Sequence, residues 1–317
     1  RNILSFKPGA GSTPGSGITF EWSQLADSQK TLVGSADILN YLRGDTSKED
    51  APFRKRKFLL GDIVSSTPVY VGSANQGYGQ LSGTEGSSYG AYISGTKSAS
   101  NWPTVYVGAN DGMLHAFNAA NGAERFAYIP NAAMPVIPGI AASNIGSLSA
   151  KDYQHRFFVD ATPTVGDAYL GGAWKTILLG TMGNGGNAVF AIDVTQPTSV
   201  GPTQVLWEFT DTDLGYGVHS PLIVRTNSST YPWVAVFGNG YSGSSKGPVL
   251  YIVDLASGTL VKKIVFDPTL ASGADNGLSP PRAFDTNGDG TAEVIYAGDL
   301  KGNLWKIALP DQAHPNQ

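Results

Sequence analysis

The chain alternates short apolar runs with clusters of Gly, Asn, Asp, Ser and Pro. Val105-Tyr-Val-Gly108, Thr176-Ile-Leu-Leu-Gly180, Trp233-Val-Ala-Val-Phe-Gly238 and Val294-Ile-Tyr-Ala-Gly298 each end on glycine. Short runs rich in β-branched and aromatic residues, bounded by turn formers, predict strands. Helical periodicity is confined to one stretch, Phe20 to Leu42. There Leu25, Leu32, Ile38, Leu39 and Leu42 recur at roughly helical intervals, with Ser35 or Asp37 as the cap.

The runs form a repeat. Its unit is Ser/Thr-Pro before a strand, an apolar strand ending in Gly, a small-residue turn, and a second strand ending in Asp or Asn. Four copies align, opening at Thr67-Pro68, Thr162-Pro163, Ser220-Pro221 and Ser279-Pro280. The last two intervals are 58 and 59 residues, and the first, from Thr67 to Thr162, is 95. Two inserts account for the excess: a Gly/Ser/Tyr-rich stretch at 73–101 and an Ala/Pro/Ile-rich one at 131–151, both expected as surface loops. A repeated sheet that needs neighbours to bury its faces predicts an all-β fold, a β-propeller. The expected organisation is an N-terminal segment at 1–60, loosely ordered over 1–17 and helical thereafter, then blades over 61–309 and a tail at 310–317. Four copies are few for a closed ring. Either the chain is part of a larger ring, or further blades align too weakly to see.

Composition sharpens this picture. The 317 residues include 40 Gly and 19 Pro and are 15% charged, which favours tight turns over long amphipathic helices. The net charge is −4, and the basic residues are scattered apart from Arg54-Lys55-Arg56-Lys57, so no face for nucleic acid is evident. With no cysteine there are no disulfides, thiolate metal sites or cysteine nucleophiles. No apolar run approaches the roughly 18 residues that span a bilayer. The chain begins at Arg1 without a signal-like apolar region, and a fragment or processed product is expected.

The strongest chemistry lies in Asp285-Thr-Asn287-Gly-Asp289-Gly-Thr291-Ala-Glu293. Oxygen-bearing side chains stand at positions 1, 3, 5 and 9, Thr291 can offer its carbonyl at 7, and Gly290 sits where a tight turn needs it. Ca²⁺ takes six to eight hard oxygens in flexible geometry, and this layout supplies them. An EF-hand would also need a bidentate Glu at position 12. That position is Tyr296, and strands rather than helices flank the loop. Hairpin punctuation would explain 287–290 but not Asp285 and Glu293 at the outer positions.

Arg43-Gly44-Asp45 matches an integrin-recognition tripeptide; it also reads as a helix end, with Gly44 just past Leu42. Gly183-Asn-Gly185-Gly186 leads into a strand and reads as a turn. Asp211-Thr-Asp213 is either a second cation site or a solvated turn. His115, His155, His219 and His314 show no metal-ligand spacing and no identifiable partner.

Several segments in the same order carry a family resemblance: Tyr41-Leu-Arg43-Gly44-Asp45, Gly61-Asp-Ile-Val-Ser-Ser-Thr67-Pro68, Tyr106-Val-Gly-Ala-Asn-Asp111-Gly112-Met-Leu-His115-Ala-Phe, Thr210-Asp211-Thr-Asp213-Leu-Gly-Tyr216, and the loop from Asp285. Over about 38–309 the chain resembles the C-terminal propeller of the PilY/PilC family, tip-associated adhesins and biogenesis factors of bacterial type IV pili. The resemblance implies a seven-bladed fold, a place at the cell surface or pilus tip or on the outer membrane, and pilins or minor pilins as partners. It implies a calcium loop that governs pilus extension against retraction, and so twitching motility. It also implies host adhesion and virulence, with calcium and Arg43-Gly44-Asp45 linked to integrin. The ligands carried over are Asp285, Asn287, Asp289, the Thr291 carbonyl and Glu293, the last standing where the family usually has Asp.

A competing class is the quinoprotein dehydrogenases, which hold pyrroloquinoline quinone over Ca²⁺. Ala116-Phe-Asn118-Ala-Ala-Asn121-Gly122 and Ala191-Ile-Asp193 leading to Trp207-Glu-Phe209 are similar to their blade signature. Those enzymes typically clamp the quinone with a vicinal disulfide, and this chain has no cysteine. The expectation is a non-enzymatic, calcium-binding propeller.

Overall fold

The computed structural model describes residues 1–11, 13–135, 145–241, 247–266 and 276–309. The chain opens with a hairpin, β1 (Ile3–Lys7) and β2 (Ser16–Thr19), followed by helices α1 (Asp27–Val33) and α2 (Ala36–Leu42). Next come β3 (Val69–Val71), helix α3 (Gly83–Tyr92), β4 (Thr104–Gly108), β5 (Leu114–Asn118) and β6 (Glu124–Ile129). Strands β7 (Thr164–Leu170), β8 (Ala173–Thr181), β9 (Val189–Asp193) and β10 (Val205–Phe209) form a second sheet. A third comprises β11 (Leu222–Arg225), β12 (Trp233–Gly238), β13 (Val249–Asp254) and β14 (Leu260–Val265). The fourth has β15 (Arg282–Phe284), β16 (Val294–Gly298) and β17 (Leu304–Ala308).

Within each blade the consecutive strands β3–β6, β7–β10, β11–β14 and β15–β17 run as an antiparallel meander, and the first strands of successive blades touch: β3 with β7, β7 with β11, β11 with β15. The sheets therefore fan out as blades of a propeller with their first strands innermost, as the repeat predicts. Hydrophobic clusters lie between blades, one joining blades 1 and 2, one blades 2 and 3, and one blades 3 and 4. Middle strands are consequently covered on both faces. Every residue of Trp233–Gly238 is buried, so the run is continuously apolar instead of alternating.

The repeat's punctuation has a packing cause. A Cβ at Gly108 would lie 2.3 Å from the Val159 carbonyl oxygen, and one at Gly238 2.6 Å from that of Leu278. Neither position has room for a side chain. Hydroxyls close to the repeat's prolines tie two of the blades together: the Ser66 hydroxyl, two residues before Pro68, accepts from the Gly108 amide at 2.8 Å, and that of Ser279, just before Pro280, from the Gly298 amide at 3.1 Å. Between blades, Thr67 donates its amide to the Thr162 hydroxyl at 2.8 Å.

Three expectations need correction. The first residues are not loose. β1 pairs in parallel with β6, Leu4 facing Tyr128, and extends blade 1 outward, because Ile3, Leu4 and Phe6 are apolar enough to bury there. The single helical stretch is two short helices, broken at Gly34 with φ +100°, and Ser35 caps the second by accepting from the Ile38 amide at 3.2 Å. The insert at 73–101 is not a surface loop either. It folds as α3 and a wider helical turn, Ile93–Lys97, with Tyr89 and Lys97 fully buried. Of the second insert, 136–144 lies outside the described residues, and Ile145 and Leu148 beyond it are buried in the core of blade 1. The expected tail at 310–317 is also outside the described residues.

Candidate metal centre

Blade 4 folds its first two strands, β15 and β16, around the loop 285–293. Two glycines bend it, Gly288 at φ +81° and Gly290 at φ +89°, values that side chains rarely adopt. Gly290 is doubly constrained, because a Cβ there would also lie 2.8 Å from Cδ2 of Leu81.

The turn folds the acidic side chains inward. Asp285 accepts from the amides of Gly288 at 2.6 Å and Gly290 at 2.8 Å. Asp289 accepts from the Thr291 amide at 2.8 Å and hydroxyl at 2.5 Å. Glu293 accepts from the Thr286 amide at 2.7 Å and hydroxyl at 2.9 Å. Asn287 stands between the acids, its amide nitrogen donating to Asp289 and to Glu293, both at 3.2 Å. Thr291, with 5% exposure, is the most enclosed member and also receives a hydrogen bond from Asn227 at 2.9 Å.

Carboxylate oxygens of Asp285, Asp289 and Glu293 lie within 4.8 Å of one another. Two oxygens each about 2.4 Å from one Ca²⁺ can be no more than about 4.8 Å apart, so the spacing of the three acids is compatible with one shared hard cation. Burial disfavours the charged Asp289 carboxylate. The Thr291 hydroxyl and amide, the Asn287 amide and the Arg225 charge more than offset this and hold its pKa below the usual range. The acid is thus ready for a cation near neutral pH.

Sequence reasoning gathered these five residues and missed the surroundings. Thr286 orients Glu293, and the main chain of Arg225 accepts from the Ala292 amide at 2.8 Å. Arg225 and Asn227 sit in the neighbouring blade at the corresponding first-strand turn. The repeat period is the signal that could have found them.

Other singled-out groups have different partners. Lys263 donates to Asp211 at 2.6 Å and Asp213 at 2.7 Å, so an ammonium fills that pair. In Arg43-Gly44-Asp45, Arg43 caps α2 and Gly44 has φ +107°. The Arg43 guanidinium donates to the carbonyls of Phe20 at 2.8 Å and Arg1 at 3.4 Å, and the exposed Asp45 accepts from the Ser47 amide at 2.8 Å. Gly183-Asn-Gly185-Gly186 lies between β8 and β9, as its reading as a turn requires. His155 bonds Asp62 at 2.8 Å, His115 is enclosed by Asp111 and Glu124, and His314 lies outside the described residues.

Against known proteins, the family model described as the PilY1 beta-propeller domain matches residues 60–317. A type IV pilus biogenesis factor PilY1 homolog of Xylella fastidiosa is 41% identical over 90% of this chain and 20% of its own length. A type IV pilus biogenesis factor PilY1 of Pseudomonas aeruginosa is 38% identical over 98% of this chain and 28% of its own. The chain thus spans about a quarter of the length of such curated relatives. The crystal structure of the Pseudomonas aeruginosa PilY1 C-terminal domain superposes with a TM-score of 0.57 at 39% identity, covering 72% of this chain and 43% of that one.

Proposed function

The chain belongs to the PilY1 β-propeller family, and on that premise we propose that it is the calcium-controlled propeller of a type IV pilus biogenesis factor and tip adhesin. In this reading it is non-enzymatic and works at the cell surface or pilus tip against pilins or minor pilins. The relatives of known name are biogenesis factors of type IV pili. Among the described residues no helix is long and apolar enough to cross a membrane.

The observation that carries the calcium reading is the convergence of Asp285, Asp289 and Glu293 in the β15–β16 loop. The donor set is all oxygen, which favours Ca²⁺ over softer metals. When bound, the ion supplies a dication that offsets three mutually repelling carboxylates. The chain contributes the preset turn, with Asp285, Asn287, Asp289, the Thr291 carbonyl and Glu293 as ligands. Loop and flanking strands then stiffen together, which is the change a pilus partner would read.

Titration calorimetry tests this directly. Ca²⁺ binding is expected in the wild type and should weaken in Asp289→Ala by more than the roughly 10- to 100-fold that loss of an outer-shell partner typically costs, because a coordinating charge is removed. No binding, or binding insensitive to that change, would sink the calcium reading. In the full-length relative, the same substitution should alter the number of surface pili at constant protein level.

A host-receptor role for Arg43-Gly44-Asp45 asks more of the chain, because Arg43 would have to leave the carbonyls of Phe20 and Arg1. Pull-down with an integrin ectodomain separates the cases. Binding abolished by Asp45→Glu supports a receptor contact, and unchanged binding leaves the segment a helix end.

A further inference from the structure

The insert at 73–101 leaves and re-enters blade 1, yet its main anchors lie in the other three blades. On blade 2, Asp167 of β7 is the anchor. Lys97 donates to both its oxygens at 2.9 Å, the Tyr89 hydroxyl donates at 2.8 Å, and the Trp174 indole donates to the carbonyl of Glu85 at 2.9 Å. On blade 3 the Glu85 carboxylate accepts from Arg225 at 2.7 and 3.1 Å and from the Trp233 indole at 2.9 Å. On blade 4, Leu81, just before α3 and 6% exposed, covers Gly290 of the acidic loop, with Gln80 beside it.

Arg225 is where these contacts meet. Its guanidinium is held by Glu85, and its carbonyl accepts from the amide of Ala292 in the acidic loop. Two residues on, Asn227 donates to Thr291. Thus the loop's underside and its charge environment are both set by a segment that begins and ends three blades away.

We infer that the insert at 73–101 is a strap that sets the affinity of the 285–293 loop: its docking through Glu85 and Leu81 and cation binding at the loop stabilise each other. This rests on the reading of that loop as a calcium site. Glu85 holds the Arg225 guanidinium by a two-contact ion pair, which limits how far it can approach the loop acids. Without that anchor the guanidinium can turn toward Asp289 and compete with a cation. Leu81 limits how far the glycine turn can open. Coupling of this kind is reciprocal, so a cation in the loop must also favour the docked strap.

Hydrogen exchange and calorimetry on the whole chain decide it. With Ca²⁺, amides at 78–97 should exchange more slowly along with those at 285–293. Glu85→Gln, which keeps the size of the side chain, should weaken Ca²⁺ binding about 5- to 20-fold, within the usual range of coupling. Arg225→Lys, which keeps the charge but cannot make the two-contact pair, should weaken it in the same direction. Slowed exchange at 285–293 alone, with wild-type affinity in both variants, would overturn the strap and leave the calcium site standing. Absence of Ca²⁺ binding in the wild type would instead remove the calcium reading and the strap with it.

Discussion

His115 sits with its side chain fully buried, Nδ1 2.8 Å from Glu124 and Nε2 3.1 Å from both oxygens of Asp111. A ring with carboxylates at both nitrogens is most stable as the imidazolium. Burial by itself pushes its pKa down, but the Asp111 charge and hydrogen bond, with those of Glu124, more than offset this and raise it to about 9. Burial likewise pushes Glu124 up, and the hydrogen bonds from Arg1 and His115 overturn that, bringing it down to about 2. The signs are opposite. The His115 contribution is whole below its unfolded value near 6.5 and disappears as pH rises through about 9, whereas that of Glu124 is present above its unfolded value near 4.5 and disappears as pH falls through about 2. The urea midpoint should therefore fall between about pH 6.5 and about pH 9, and His115→Gln should flatten that slope. An unchanged slope would place the titrating group elsewhere. The partners were invisible in the sequence for a geometric reason: Gly112 at φ +92° folds Asp111 back onto the strand, and Glu124 reaches His115 across a hairpin.

Among the elements, α3 shows how far tertiary contacts can override propensity. Gly83-Thr-Glu-Gly-Ser-Ser-Tyr-Gly-Ala-Tyr92 contains three glycines, and the two in its interior, Gly86 and Gly90, have an intrinsic helix propensity about 1 kcal/mol poorer than alanine. It is helical because Tyr89 and Tyr92 pack on Trp174, with centroids 4.5 and 6.4 Å away, and because Glu85 and Lys97 find buried partners. Lys97 and Asp167 are essentially inaccessible, with side-chain exposures of 1% and 0%. Removing one partner of such a pair leaves the other buried and uncompensated. Lys97→Ala should therefore destabilise the chain by about 3–5 kcal/mol in urea unfolding, and exchange should quicken first at 78–97. A loss below about 1 kcal/mol would mean that water replaces the ammonium and the insert is only loosely docked. The strands, by contrast, were legible. Their pattern is repeated and each needs only neighbours of the same kind to be buried, whereas the insert that carries α3 draws its partners from three other blades.

Across the whole molecule, the same logic separates what the chain says about itself from what only folding decides. The blade unit, the four copies, the order of the acidic loop and the kinship with pilus biogenesis factors could all be read from residues close together in sequence. Each depends on local patterns: apolar runs, a glycine where a carbonyl approaches, a proline after a hydroxyl, oxygen-bearing residues two positions apart. Glu293 could be placed with Asp285 because a single turn joins them. The separation of blades into three interlocking cores, the burial of β1 beside β6, the enclosure of His115 and the path of the insert were decided only in three dimensions. These depend on contacts between residues from about 10 to 200 positions apart, where the cost of closing the chain grows slowly with length and no local pattern marks the partner. The sequence by itself determined that a cluster of oxygens would form in a late blade. Only the tertiary structure decided that Leu81, from the insert of the first blade, would lie against it and that Glu85 would hold the neighbouring Arg225, because the fan brings the first-strand turns of successive blades to one face.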